Sequence, residues 1–216
     1  KTIPGLINKT KNERFVYDSY RRLILMYSDV VMEKAENKKD VNIREKLEHI
    51  MGLAKKAKNI SNDSDLDSKD LQQIIQKFKR VIKKELKVDF PDTAKEQLWG
   101  AIAAVFKSWN GYRAVKYREI ESISHSIGTA VNVQSMVFGN LGESSGTGVA
   151  FTRDPSNGNN YLYGEWLENA QGEDVVAGIR TPKPINDLSK RKNTTNEKTL
   201  EDKFPKIYKE LLAIKS

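Results

Sequence analysis

Apolar residues recur at three- and four-residue spacing through the first half of the chain, a pattern that predicts amphipathic helices. Four such stripes are present, and they begin near Glu13, Leu47, Leu71 and Leu98. Thr93 and Glu96 have the spacing of a capping box, so the fourth helix has a well-defined start. We therefore predict that residues up to about Trp109 are almost entirely helical.

The pattern changes after about residue 127, where β-branched and apolar residues gather in short runs. The stretches TAVNVQSMVFG, GVAFTRD and NYLYGEWLE predict three strands, the first of them buried. DPSNGN between the second and third runs has the composition of a tight turn, since Asn157 and Gly158 tolerate positive φ. The last run, KIYKELLAIKS, predicts a helix. The fold class is therefore α+β, with a helical lobe at residues 1–110 and a sheet lobe with a C-terminal helix at residues 111–216.

The three tryptophans fall on the predicted core faces of their elements. Trp99 and Trp109 belong to the fourth helix, and Trp166 belongs to the third strand. Large aromatic side chains at these positions are more typical of packing than of base-stacking platforms. We predict that all three are core residues.

The composition is that of a globular domain, with 38% hydrophobic and 31% charged residues among 216. No run approaches the roughly 20 apolar residues of a membrane span, so we expect no membrane association. The net charge of +8 would suit a polyanionic partner. Lysines are interspersed with acidic residues, as in EKAENKKD, a pattern that equally describes solvated helix faces.

Few residues offer covalent or metal chemistry. The chain has no cysteine, which excludes disulfides and thiolate sites, and it has two histidines, His49 and His125, neither beside a ligand cluster. Gln171, Glu173 and Asp174 follow the third predicted strand, where a carboxylate could face a metal-bound nucleotide. Ordinary polar residues at a strand boundary give the same pattern. We assign no catalytic residue and no metal ligand.

Two long segments resemble the pyruvate, phosphate dikinase family. VNVQSMVFGNLGESSGTGVAFTRDPSNG and YGEWLENAQGEDVVAGIRTP are similar to its signature almost residue for residue, and NERFVYDSYRRLILMYSDVVME and AVFKSWNGYRAVKYR also match its pattern. The resemblance implies a partial ATP-grasp nucleotide-binding domain with a largely helical insertion. It also implies the family's reaction, which forms phosphoenolpyruvate, AMP and pyrophosphate from pyruvate, ATP and phosphate through a phosphohistidine on a separate domain.

The resemblance implies two groups of nucleotide-binding residues in this chain. Gln134, Ser135, Met136 and Val137 match the segment that borders adenine through backbone groups. Asn157 and Gly158 match a turn that approaches the phosphates, although asparagine stands where the family often has threonine. Near His125, the sequence SISHSIGTAV departs from the family pattern, so His125 gains no role from it.

The family's other phosphate and metal ligands have no counterpart in these 216 residues. Its phosphate-binding lysine and arginine precede Lys1, and its metal-binding acidic residue follows Ser216, so we expect an internal segment that is inactive alone and binds little or no ATP. The full-length enzyme would use ATP and Mg²⁺ in the cytoplasm, as a homodimer whose remaining domains carry the phosphohistidine and bind pyruvate. The alternative is a basic helical module that binds nucleic acid or another protein. No motif separates these readings, although the resemblance favours a nucleotide partner over nucleic acid.

Overall fold

The computed structural model describes residues 2–38, 41–176, 178, 180–190 and 198–215. The chain forms two compact units, Lys1–Gln134 and Ser135–Ser216. The two units are defined by their compactness alone. They do not test the predicted lobe boundary after residue 110, which stays a prediction. Helices form the first unit and a small antiparallel sheet lies in the second, which confirms the α+β class.

The first unit contains helices throughout. They are α1 (Thr2–Thr10), α2 (Glu13–Tyr27), α3 (Ile43–Lys58), α4 (Ser68–Leu86), α5 (Ala94–Ser108) and α6 (Tyr112–Ile120). A π-helix, Ser28–Lys34, continues α2, and a 3₁₀ turn, Asp63–Asp65, precedes α4. The four predicted helices are confirmed as α2, α3, α4 and α5. Helix α1 lies in the region predicted to be helical but had no stripe of its own, and α6 was not predicted.

The core of the first unit lies between α2, α3 and α4. Ile24, Leu47, Leu71 and Phe78 are fully buried there, each with 0% exposure. These residues belong to the predicted apolar stripes, so the spacing identified the correct faces. Burying each such side chain contributes about 1.5–3 kcal/mol, which makes this core the main source of stability in the first unit.

Capping residues determine where α4 and α5 begin. Asp67 and Asp70 form a capping box at the start of α4, and Thr93 and Glu96 form the predicted one at the start of α5. Helix α4 ends at Leu86, four residues before the Phe90–Pro91 pair. Lys87 then adopts a positive φ of 61°, which closes the helix before proline could.

The predicted core face of α5 is wrong. Trp99 is 60% exposed and Phe106 is 49% exposed, while Trp109 is half-buried. The reason is steric, because α5 contacts the rest of the unit through its small residues, Gly100 against Tyr27 and Ala101 against the core. Its bulky residues are left on the other side, although their spacing is that of a core face.

The second unit contains a three-stranded antiparallel sheet in the order β1–β2–β3. The strands are β1 (Gly146–Phe151), β2 (Tyr163–Glu168) and β3 (Lys183–Pro184), and the register of the first pair runs from Gly146 opposite Glu168 to Phe151 opposite Tyr163. Helices α7 (Gly172–Val176), α8 (Leu200–Lys203) and α9 (Pro205–Lys215) complete the unit. The predicted second and third strands and the C-terminal helix are confirmed.

The predicted buried strand at residues 129–139 is wrong. The structure assigns no strand to these residues, and Val133, Met136 and Val137 are 67%, 62% and 93% exposed. A strand needs a neighbouring strand for its backbone N–H and C=O groups. The carbonyl of Gly139, at the end of this segment, accepts from the amide of Ala170, just after β2, at 2.9 Å. The residue types favour a strand, but the pairing is absent.

Trp166 anchors the small core of the second unit, as predicted. Its indole is 2% exposed and packs edge-on against Phe204, with ring centroids 5.7 Å apart. Leu162, Ile185 and Tyr208 surround it. None of the helices in the described part of the chain combines the length and apolar character needed to cross a bilayer.

Candidate nucleotide-binding turn

The predicted turn at residues 154–159 follows β1 and leads towards β2. Gly158 has a φ of +77°, a conformation that side chains with a β-carbon rarely adopt. A β-carbon added to Gly158 would meet no atom within 4 Å, so open space borders the backbone here. The glycine is therefore needed for backbone conformation, and its surroundings leave room for a ligand to approach the main chain.

Asp154 organises this turn. Its Oδ1 accepts hydrogen bonds from the amide of Ser156 at 2.8 Å and from the hydroxyl of Ser156 at 2.7 Å. Its Oδ2 accepts from Nδ2 of Asn157 at 2.9 Å and from the hydroxyl of Tyr161. Asp154 is 5% exposed, so a nearly buried carboxylate ties three residues of the turn together.

These hydrogen bonds shift the pKa values of both acidic partners. The bonds from Ser156 and Tyr161 stabilise the carboxylate and lower the pKa of Asp154 from 3.8 to about 2. The bond to the carboxylate favours the protonated hydroxyl and raises the pKa of Tyr161 from 10.0 to about 12. At neutral pH Asp154 is therefore ionised and Tyr161 is a hydrogen-bond donor.

Most amide groups of the turn are used within the turn itself. The amide of Gly158 donates to the carbonyl of Asp154 at 2.8 Å, and the amide of Asn159 donates to Oδ1 of Asn157 at 2.9 Å. The backbone N–H of Asn157 has no hydrogen-bond partner among the described residues. It is therefore a donor that the turn can offer to an anion.

The side chain of Asn157 bridges Asp154 and Asn159, so it serves the turn itself. Arg153 adds a positive charge beside the turn, and its guanidinium donates to the carbonyl of Gly158 at 3.1 Å. Sequence reasoning missed Arg153, Asp154 and Tyr161. An aspartate two residues before a serine is an Asx-turn signal that could have identified Asp154.

The predicted adenine segment lies apart from this turn along the chain. Gln134 is the last residue of the first unit, and Ser135, Met136 and Val137 begin the second. All four are exposed, so their backbone groups are accessible. Among the described residues, no hydrogen bond joins Ser135–Val137 to Asn157 or Gly158.

Gly139 shows where the second-unit part of this segment meets the sheet. A β-carbon on Gly139 would overlap the carbonyl oxygen of Ala170 and would lie 2.7 Å from that of Gly146, so only glycine fits. Gly139 is therefore at the Gly146 end of the β1–β2 pair, and the turn follows the Phe151 end. About 17 Å of strand separates these two ends.

The polar residues after β2 have a structural role in the described chain. Asp174 is 6% exposed, and its Oδ2 accepts from the amide of Gln171 at 2.8 Å, which caps α7. Nε2 of Gln171 donates to Oδ1 of Asn140 at 3.1 Å. Within the described residues, no group of three or more histidine, cysteine, aspartate or glutamate side chains is placed to hold a metal ion.

A family model described as pyruvate phosphate dikinase, AMP/ATP-binding domain, matches residues 92–213. The chain belongs to this family. The matched region contains the exposed segment Gln134–Val137 and the turn around Gly158. It starts immediately before the capping box of α5, so α1–α4 precede the pyruvate phosphate dikinase match.

Full-length pyruvate, phosphate dikinases are similar to nearly all of the chain. The enzyme of Clostridium symbiosum is 52% identical over 187 residues, which is 86% of this chain and 20% of that protein. The enzyme of Rhizobium meliloti is 44% identical over 210 residues, 97% of this chain and 22% of that protein. The chloroplastic enzyme 1 of Arabidopsis thaliana is 48% identical over 190 residues, 88% of this chain and 19% of that protein. The chain therefore spans about a fifth of the length of these relatives.

Proposed function

We propose that this chain is the ATP-binding segment of a pyruvate, phosphate dikinase. The observation that carries the proposal is the match to the AMP/ATP-binding domain of that family over residues 92–213, more than half of the chain. The proposed reaction of the full-length protein converts ATP, phosphate and pyruvate into AMP, pyrophosphate and phosphoenolpyruvate. A phosphohistidine on another domain would carry the phosphoryl group.

In this proposal the chain binds and orients the nucleotide through backbone groups. The exposed main chain of Gln134, Ser135, Met136 and Val137 borders the adenine. The free N–H of Asn157 and the open backbone of Gly158 face the phosphates. Bound ATP supplies the phosphoryl group, and the chain holds that group in position. Positioning is the main requirement of phosphoryl transfer at such sites.

Arg153 supports an anionic ligand at the turn, because its guanidinium is held beside Gly158 and still has further donors. Mg²⁺ is not assigned to residues of this chain, since the described residues lack a cluster of metal-ligating side chains. The ATP-grasp architecture and the homodimeric parent also stay proposals.

The cytoplasmic location is a proposal as well. Relatives include proteins of Clostridium symbiosum and Rhizobium meliloti, and one of Arabidopsis thaliana that is named chloroplastic. Family membership is therefore compatible with more than one compartment.

The basic charge does not favour the nucleic-acid alternative. Lysines of the first unit are paired with acidic side chains, as in Lys46–Glu85 and Lys79–Asp92. Lys58 contacts both Asp67 and Asp70. Nucleic-acid binding needs cations that are available to phosphates along one face. These pairs instead describe a solvated surface of mixed charge.

The proposal is tested with the full-length protein that contains this sequence. We expect it to form phosphoenolpyruvate when ATP, phosphate and pyruvate are present, and to lose that product when ATP is omitted. The isolated 216-residue chain is expected to give no product above buffer, because the phosphoryl-carrying histidine belongs to another domain. Failure of the full-length protein to bind ATP would overturn the proposed function. Binding of duplex or single-stranded DNA that weakens linearly in log salt would favour the alternative.

A further inference from the structure

We propose that Asp154 is the positioning residue of the nucleotide-binding turn, which holds the free amide of Asn157 where a nucleotide phosphate can accept from it. This inference deepens the proposed function and rests on it. It assigns a role to a buried carboxylate that does not touch the nucleotide itself.

Both oxygens of the Asp154 carboxylate are fully engaged within the turn. Oδ1 takes two bonds from Ser156, and Oδ2 takes one from Asn157 and one from Tyr161. The backbone of Asp154 closes the same loop, because its carbonyl accepts from Gly158 at 2.8 Å and its amide donates to Asn159 at 3.0 Å. Six hydrogen bonds therefore converge on a single residue.

The placement of this carboxylate excludes a direct contact with phosphate. Asp154 is ionised at neutral pH, since its pKa is about 2, and a negative charge facing a phosphate would repel it. It is 5% exposed, and its acceptor sites are already used by neighbouring donors. The carboxylate consequently acts on the ligand through the turn that it shapes.

The bonds of Asp154 determine which amide of the turn is free. The amides of Ser156 and Gly158 are drawn inward, to its carboxylate and its carbonyl respectively. The amide between them, that of Asn157, keeps no partner among the described residues. Because hydrogen bonding to a phosphate depends on direction, a displacement of about 1 Å at this amide is expected to weaken binding or transfer by up to 10²-fold.

The position of the Arg153 side chain also depends on the shape of the turn. Its guanidinium donates to the carbonyl of Gly158, so a change in the backbone of the turn would move this contact. Loss of the Asp154 carboxylate therefore displaces the amide of Asn157 and the nearby cation together. The turn is exposed, so water can satisfy the released donors, and the main effect falls on ligand binding and much less on folding.

The test uses the full-length protein with Asp154→Ala, Asp154→Asn and Tyr161→Phe. Asp187→Ala is the matched control, because Asp187 is an exposed aspartate of the same unit that pairs with Lys190 outside the turn. The readouts are the equilibrium Kd for ATP, hydrogen exchange at the amides of Ser156 and Gly158 without nucleotide, and phosphoryl exchange between phosphoenolpyruvate and pyruvate.

We expect Asp154→Ala to raise the Kd for ATP by about 10- to 100-fold, by analogy with the loss of residues that orient metal ligands. Exchange at Ser156 and Gly158 should become faster, and phosphoenolpyruvate–pyruvate exchange should stay within about twofold of wild type. Asp154→Asn keeps one carbonyl acceptor and should recover part of the affinity. Tyr161→Phe removes one of the four side-chain bonds and should weaken ATP binding by a few-fold, about 2- to 5-fold.

The possible results distinguish failure of this inference from failure of the proposed function. If the wild-type protein binds ATP and Asp154→Ala accelerates amide exchange without changing the Kd, Asp154 is only structural and the inference is overturned. If the wild-type protein binds no ATP, the proposed function itself fails. If Asp154→Ala does not fold, Tyr161→Phe decides, because it keeps the carboxylate and the ring; an unchanged Kd in that variant contradicts the inference.

Discussion

The hydroxyl of Tyr27 on α2 occupies the space beside Gly100 on α5 that a β-carbon at residue 100 would need. The ring of Tyr27 is 8% exposed and packs edge-on against Phe90, with centroids 5.5 Å apart. It therefore has little freedom to move away. This contact brings α5 against the C-terminal end of α2, and it explains why alanine would be unfavourable at position 100.

Gly100→Ala is expected to destabilise the first unit by about 1–3 kcal/mol, the usual range for overpacking. Urea unfolding of the 216-residue chain, followed by circular dichroism, measures this change. Tyr27→Phe removes the obstructing oxygen and leaves the ring carbon Cζ 3.1 Å from the new β-carbon, so Gly100→Ala should destabilise the chain less in that background than in the wild type.

Gly52→Ala in α3 is the matched control, because a β-carbon there meets nothing within 4 Å. It should stabilise the chain by about 0.5–1 kcal/mol. Equal effects of alanine at positions 52 and 100 would contradict the close contact with Tyr27.

Gly158→Ala is expected to weaken ATP binding by the full-length protein. Alanine at a φ of +77° is strained by about 1–2 kcal/mol, although the space around the β-carbon is open. The turn relieves that strain by changing its backbone, which moves the amide of Asn157. Titration with ATP should show a loss of about tenfold, while phosphoryl exchange between phosphoenolpyruvate and pyruvate is retained.

Gly142→Ala is the control for this substitution, since Gly142 also has open space and its φ is not positive. It should bind ATP as the wild type does. If both alanine variants bind equally well, the conformation of residue 158 is not important for the nucleotide.

The turn was predicted from sequence, whereas the burial of its central residue, Asp154, was not. DPSNGN identifies a tight turn because proline, asparagine and glycine each restrict or permit specific backbone angles. The burial of Asp154 depends on Tyr161, seven residues further on, whose hydroxyl meets it only after the chain has folded back. Local residue types predict local conformation, but they do not reveal a hydrogen bond made across the loop.

The same limit explains the exposed segment before Gly139. Its β-branched and apolar residues fit a strand, and the prediction used only that preference. A strand also needs a partner, and β1 pairs on one side with β2 without a described strand on the other. Likewise α5 has a genuine apolar stripe, yet Gly100 and Ala101 decide which side lies against the core. Periodicity identifies an amphipathic face without identifying what covers it.

Asp154 should make the second unit sensitive to acid. Its folded pKa, about 2, lies below the ordinary value of 3.8, so the carboxylate stabilises the fold above pH 3.8 and this contribution is lost as the pH falls through about 2. The amide of Ser156 donates to this carboxylate, so its NMR chemical shift should titrate with a midpoint near pH 2.

Asp154→Asn should abolish that titration and leave the remaining acid dependence of unfolding unchanged. A midpoint near pH 4 for the amide of Ser156 would contradict the hydrogen-bonded carboxylate.

Tyr161 gives the opposite dependence at high pH. Its folded pKa of about 12 lies above 10.0, so its contribution is complete below pH 10 and is lost as the pH rises through about 12.

Val137→Pro tests the proposed backbone contact with adenine. The side chain of Val137 is 93% exposed, so it contributes little to packing. Proline removes the N–H and fixes φ, whereas Val137→Ala keeps the backbone donor. In the full-length protein, proline should weaken ATP binding by about tenfold, equivalent to one lost hydrogen bond, and alanine should have less than a twofold effect. Equal affinities for the two variants would show that the N–H of residue 137 is not a nucleotide contact.

Hydrogen exchange should separate the helical core from the exposed segment before the sheet. Leu71, Phe78 and Ile82 lie in α4 with 0% exposure, and their amides are held in a continuous helix with a capping box at its start. Residues 131–138 are outside the strands of the structure, and Val137 is almost fully exposed. Protection depends on hydrogen bonds that open only with the surrounding core, so the amides of residues 71–82 should exchange far more slowly than those of residues 131–138. Slower exchange at residues 131–138 than at residues 71–82 would mean that the proposed adenine segment pairs as a strand in solution, and the assignment of these residues outside the sheet would then be wrong.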